Sequence, residues 1–107
     1  MAVLGSIQCM SENEKSIVLE CMCAALKGNF FWDDEFFSLL GVHRKELEAV
    51  IEKWPNVDHR DEITRMSVIG SMLNLLCYPH HKFDDEWHEY ISVSPAKVKE
   101  VLERVTT

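Results

Sequence analysis

Apolar and polar positions along this chain recur with the period of a helix, and six helical segments follow from the pattern. Ser11 to Glu14 forms a Ser-x-x-Glu capping box. From Ile17 to Leu26 the sequence is apolar on almost every face, broken only by Glu20, which predicts a helix deep in the core, stopped at Gly28. Trp32-Asp33-Asp34-Glu35 opens a short helix ending at Gly41. A third starts near Arg44, with Leu47, Val50, Ile51 and Trp54 on one buried stripe, and Pro55 ends it. After a polar link, a long helix runs from about Asp61 to Tyr78. Its apolar stripe reads as Ile63, Met66, Gly70, Leu73 and Cys77, and Pro79 marks its stop. Asp84-Asp85-Glu86 opens a short helix with Trp87 and Tyr90. Ser94-Pro95 then starts the last, with Val98, Val101, Leu102 and Val105 facing inward. Period-2 alternation is confined to Ile91-Ser92-Val93, a connector.

A shift of 51 residues lays the second half on the first without a gap. Ile17 and Val18 fall on Val68 and Ile69, Gly28 falls on Pro79, and Trp32-Asp33-Asp34-Glu35-Phe36 falls on Phe83-Asp84-Asp85-Glu86-Trp87. Val42, Leu47, Val50 and Ile51 fall on Val93, Val98, Val101 and Leu102. Capping signals, helix stops and apolar stripes agree in register. The expected fold is therefore an all-α, compact six-helix domain of two tandem three-helix repeats related by a pseudo-two-fold axis. Residues 1–10 read as an N-terminal extension and 11–107 as one domain, with repeats at 11–54 and 61–105 joined by 55–60.

Composition narrows the function more than the fold. At 107 residues, 47% hydrophobic and 27% charged, the chain fits one globular domain rather than two or a disordered segment. The 18 acidic and 11 basic side chains leave a net charge of −7, with no cluster of Lys or Arg. That field repels phosphate backbones and attracts a basic protein. The first ten residues lack a positive n-region, and no apolar run is long enough to span a bilayer. Cysteines 9, 21, 23 and 77 read as reduced thiols, so the expected compartment is the cytoplasm, with neither nucleic-acid nor membrane binding.

Few residues remain for chemistry. Each Asp-Asp-Glu triplet resembles paired carboxylates for metal or acid–base work, but placement at a helix start favours capping and the helix dipole. Flanked by aromatics, the triplets also suit the rim of a partner site. His80, His81, Asp84, Asp85 and His88 form the one ligand-like cluster, and its spacing matches no strong zinc signature. Cys21 and Cys23 point to opposite sides of a helix and read as core. A Cys77–His80 or Cys77–His81 nucleophilic pair is a weaker reading, because no positive charge lies nearby to lower the thiol pKa. Phe31 falls on Lys82 under the 51-residue shift, which suggests an exposed contact aromatic.

The sequence is thus expected to encode a non-enzymatic, acidic interaction module without a cofactor, docking on a basic protein in the manner of an immunity or antitoxin-like inhibitor. The expected contact residues are Phe31, Trp32, Asp33, Asp34, Glu35, His80, His81, Asp84, Asp85, Glu86 and Trp87. A metal-dependent enzyme or sensor using the histidine cluster is one alternative. A self-associating homo-oligomer using exposed aromatics is another.

Overall fold

A computed structural model describes residues 10–27, 31, 33–58, 60–77 and 85–105. Among them are six α-helices and no strand: α1 Glu12–Lys27, α2 Asp33–Leu40, α3 Arg44–Lys53, α4 Glu62–Cys77, α5 Asp85–Tyr90 and α6 Pro95–Val105. Polar residues before several helices satisfy amide N–H groups that have no partner within the first turn. The Ser11 amide donates to Glu14 Oε1 at 2.9 Å and the Glu14 amide donates to Ser11 Oγ at 3.1 Å, a reciprocal capping box. Asp61 Oδ2 caps α4 by accepting from the Thr64 amide and hydroxyl at 3.0 and 3.1 Å. Ser94 Oγ accepts from the Lys97 amide at 3.3 Å, one turn into α6. Gly41 ends α2 with φ +81°, a left-handed conformation that glycine adopts without a Cβ penalty.

The two long helices, α1 and α4, form the most extensive pair in the molecule, and the others pack around them. α4 also carries α2, α3 and α6, while α1 carries α3, α5 and α6. Ile17, Val18, Cys21, Met22, Ala24 and Ala25 make α1 as deeply buried as its sequence predicts. The stripes of α3 and α6 close on this pair through Leu47, Val50, Val98, Val101 and Val105, with Ile51 half-buried. Met10, assigned to an extension by sequence, instead joins the core. The Cα radius of gyration is 12.5 Å, near the roughly 13 Å expected of a globule this long.

Polar contacts tie the outer elements to the pair. Arg44 Nη1 donates to Leu26 O at 2.7 Å and Trp54 Nε1 donates to Lys15 O at 3.0 Å, holding α3 against both ends of α1. Glu20 accepts from the Ser92 amide and hydroxyl at 2.6 and 3.0 Å, which anchors the connector between α5 and α6. Glu14, buried at the start of α1, pairs with Arg104 in the last turn of α6 at 3.1 Å.

The orientation of α4 departs from the sequence reading. Ile63, Met66 and Leu73 are 39%, 37% and 45% exposed, Cys77 is exposed, and only Gly70 of the expected stripe is buried. The helix buries Thr64, Ser67, Val68, Ser71, Met72 and Leu75, a face centred roughly 150° from that stripe at about 100° per residue. Apolar residues lie all round α4, so periodicity alone does not choose its inner face. Small side chains mark where other helices come close. Gly70 meets α2: a Cβ there would lie 2.7 Å from Leu40 O and 3.1 Å from Leu40 Cα. Asn74 Nδ2 fixes the same junction by donating to Leu39 O and Gly70 O, both at 2.8 Å.

Two consequences for stability follow. Gly70→Ala adds helix propensity of about 1 kcal/mol, but its methyl group meets rigid backbone, and overpacking costs about 1–3 kcal/mol. Net destabilisation is expected in urea titrations, and a stabilised variant would contradict the close approach. Ser67 and Ser71 bury hydroxyls that have no hydrogen-bond partner among the described residues. Replacing either with alanine removes that cost and is expected to raise stability by about 1 kcal/mol. Loss of stability in both variants would mean that these hydroxyls are satisfied.

Candidate partner-binding face

The sequence-derived contact set divides once it is placed on the fold. Phe31 is 5% exposed and packs edge-on against Phe36, with ring centroids 6.4 Å apart, so its expected exposure is corrected to burial. Trp87 is fully buried and donates from Nε1 to Val93 O at 2.7 Å. Both therefore belong to the core in this structure. Asp34 and Glu35 are exposed in the first turn of α2. Asp33 opens that helix, and Asp85 and Glu86 open α5, with only their backbone described. Trp32, His80, His81 and Asp84 lie outside the described residues, and His88 is exposed on α5. The proposed histidine–carboxylate cluster is thus only partly described. Among the described residues, no group of three or more His, Cys, Asp or Glu side chains could hold a metal ion.

A different face stands out. Phe36 and Phe37 are adjacent on α2, about 100° apart around the helix, and differ in burial. Phe36 is buried beneath the Arg44 guanidinium, 4.3 Å from its ring centroid, while Phe37 is 50% exposed and stacks on His43 at 4.3 Å. The Phe37 carbonyl accepts from the Gly41 amide at 2.8 Å. On the α4 side, the Met66 methyl carbon lies 3.0 Å from where a Gly41 Cβ would be. Met66 thus lies over Gly41, while Phe37 lines a shallow pocket with Phe36, His43 and Arg44. Ile63 and Leu73 are exposed on the same helix, with Ile69 and Leu76 half-buried, and the α2 backbone covers Gly70 between Met66 and Leu73. Exposed Asp34 lies one turn before Phe37, and exposed Glu62 one turn before Met66.

At the Ile63 end, the surface runs into an open pocket of about 470 Å³ between α3, the 54–61 turn and α4. Val50, Val57 and Ile63 supply apolar lining, and Glu46, Lys53, Asp58 and Asp61 supply charge. These carboxylates already serve the local fold. Glu46 Oε1 accepts from the His43 amide at 2.8 Å, Asp58 Oδ1 from the Arg60 amide at 2.9 Å, and Asp61 caps α4. They are organised as caps and turn formers, and Asp58 also pairs with Arg60 at 3.5 Å.

Cys21, Cys23 and Cys77 are free thiols, buried, half-buried and exposed respectively. Burial, reinforced by Glu20, pushes the Cys21 thiol up to about 12. Burial also raises that of half-buried Cys23, with Lys27 opposing the shift. No known protein family, curated protein or solved structure matches this chain.

Thiolate formation and access both govern alkylation. Iodoacetamide at mildly alkaline pH, followed by peptide mass mapping, is expected to label exposed Cys77 before Cys23, and Cys21 only under denaturing conditions. Labelling of native Cys21 as fast as Cys77 would contradict its burial.

Proposed function

We propose that this chain is a non-enzymatic, acidic helical module of the cytoplasm that docks on a basic protein, an immunity or antitoxin-like inhibitor being its most specific form. The observation that carries the proposal is the exposure of the large apolar side chains Phe37, Ile63, Met66 and Leu73 on a protein of net charge −7. Exposed apolar side chains can anchor a contact, and the acidic balance of the chain favours a cationic partner. Asp34 and Glu35 remain in the contact set on grounds of exposure. No described helix is long and apolar enough to cross a membrane.

The architecture proposed alongside it is a tandem duplication of three helices with a pseudo-two-fold axis between α1 and α4. Support comes from the helix starts and from the pairing of contacts. Exchanging α1 with α4, α2 with α5 and α3 with α6 turns the α1–α3 contact into α4–α6, α3–α4 into α6–α1, and α2–α4 into α5–α1, all of which occur. The buried aromatics Phe36 and Trp87 also correspond under the 51-residue shift.

The test is affinity capture from the native host with the immobilised chain. A basic protein is expected to be retained at about 0.01 M salt, where the Debye length is about 30 Å, and released toward 1 M, where it is about 3 Å. Retention of only acidic proteins, or retention indifferent to salt, would overturn the proposal.

A further inference from the structure

The end of α2 is laid across three successive turns of α4. Met66, Gly70 and Asn74 are spaced four residues apart and form one ridge of that helix. Asn74 Nδ2 donates to Leu39 O at 2.8 Å, and Gly70 is so close to Leu40 that a Cβ would come within 2.7 Å of its carbonyl oxygen. Met66 completes the row at Gly41. Its methyl carbon lies 3.0 Å, and its sulfur 3.6 Å, from the point that a Gly41 Cβ would occupy. Gly41 holds φ +81° and donates its amide to Phe37 O at 2.8 Å, so the thioether rests against the residue that ends α2. That helix in turn buries Phe36 and Leu40.

The Met66 contact differs from the other two in being made by an oxidisable side chain open to solvent. Among the described methionines, Met10, Met22 and Met72 are buried and Met66 is exposed. A thioether is flexible and apolar, and it packs on bare backbone without needing a hydrogen bond. A hydroperoxide changes that. The sulfur lone pair attacks a peroxide oxygen, the S–O bond forms as the O–O bond breaks, and the departing oxygen takes up a proton to leave as water or an alcohol. Sulfur loses two electrons and the peroxide gains them. The product is polar, and its new oxygen is a hydrogen-bond acceptor that is costly to hold away from water.

We propose that Met66 is an oxidative modification site: hydrogen peroxide or a related hydroperoxide converts its thioether to the sulfoxide, and the sulfoxide releases the C-terminal end of α2 from α4. The added oxygen enlarges a group already in contact with Gly41, and the side chain gives up that contact as the oxygen turns to water. Phe36 and Leu40, buried in the reduced chain, gain exposure with the released end. The change is reversible, because methionine sulfoxide is reduced back to the thioether by its reductases.

The test uses the full chain, its accessible thiols first capped with iodoacetamide so that oxygen uptake reports on methionine. Under dilute hydrogen peroxide, peptide mass mapping is expected to find the sulfoxide at Met66 before Met22 or Met72. Hydrogen exchange of the amides from Phe37 to Gly41 is then expected to quicken about tenfold or more, with those of α1 and α6 unchanged. Methionine sulfoxide reductase is expected to restore the slow rate. Met66→Leu keeps an apolar side chain of similar volume that peroxide does not oxidise, and its α2 amides are expected to stay slow under the same treatment. Met66→Gln imitates the polar product and is expected to quicken them without oxidant. Oxidation of Met22 or Met72 as fast as Met66 would overturn the site. Complete Met66 sulfoxide with unchanged α2 exchange, or exchange quickened equally in every helix, would overturn the release of α2. Quickened α2 exchange in peroxide-treated Met66→Leu would overturn the assignment to this side chain.

Discussion

The close approach of the chain to itself along α4 is the constraint on which the rest of the architecture depends. One helix packs against α1, α2, α3 and α6, so its buried side chains must be small where a neighbour's backbone comes near. Gly70 meets the Leu40 backbone where no Cβ fits, and Ser67 and Ser71 are fully buried on the same helix, their hydroxyls unbonded among the described residues. With Val68, Ser71, Met72 and Leu75 facing inward, Met66 and Leu73 fall on the far side of the helix, where α2 covers only Gly70. The exposed apolar side chains of α4 lie on the outer side of a helix whose inner face has been fixed by packing.

Local signals made the helices legible in the sequence. Ser11 with Glu14, Asp61, Ser94 with Pro95, and Gly41 each have one dominant way of meeting the backbone's needs, and the structure uses them in that way. The stripes of α3 and α6 were equally readable, because their opposite faces are polar. α4 has no such contrast. Its inner face depends on which residues are small enough for tertiary contact, and that is a property of its neighbours. A clue was nevertheless present: under the 51-residue shift, Ile63 and Met66 fall on Glu12 and Lys15, charged positions at the start of α1.

The contact residues were less readable for a related reason. Aromatics beside acidic triplets look alike whether they enter the core or face solvent. Phe31 and Trp87 went inward, where the Trp87 N–H finds the Val93 carbonyl, while Phe37 went outward onto His43. Phe36 and Phe37 are neighbours in sequence with opposite fates, decided by the rotation of a two-turn helix. Composition could supply the sign of the charge, but locating the uncovered surface required the packed arrangement.

The ion pair between Glu14 and Arg104 has a consequence for how the domain assembles. It joins the first turn of the first helix to the last turn of the final one, so it forms only when almost the whole chain has been gathered into a single loop. A partly assembled chain lacking α6 would leave the Glu14 carboxylate without that counter-ion. Residues remote in sequence are thereby recruited into the same ordering event, which favours all-or-none folding over independent settling of the two halves.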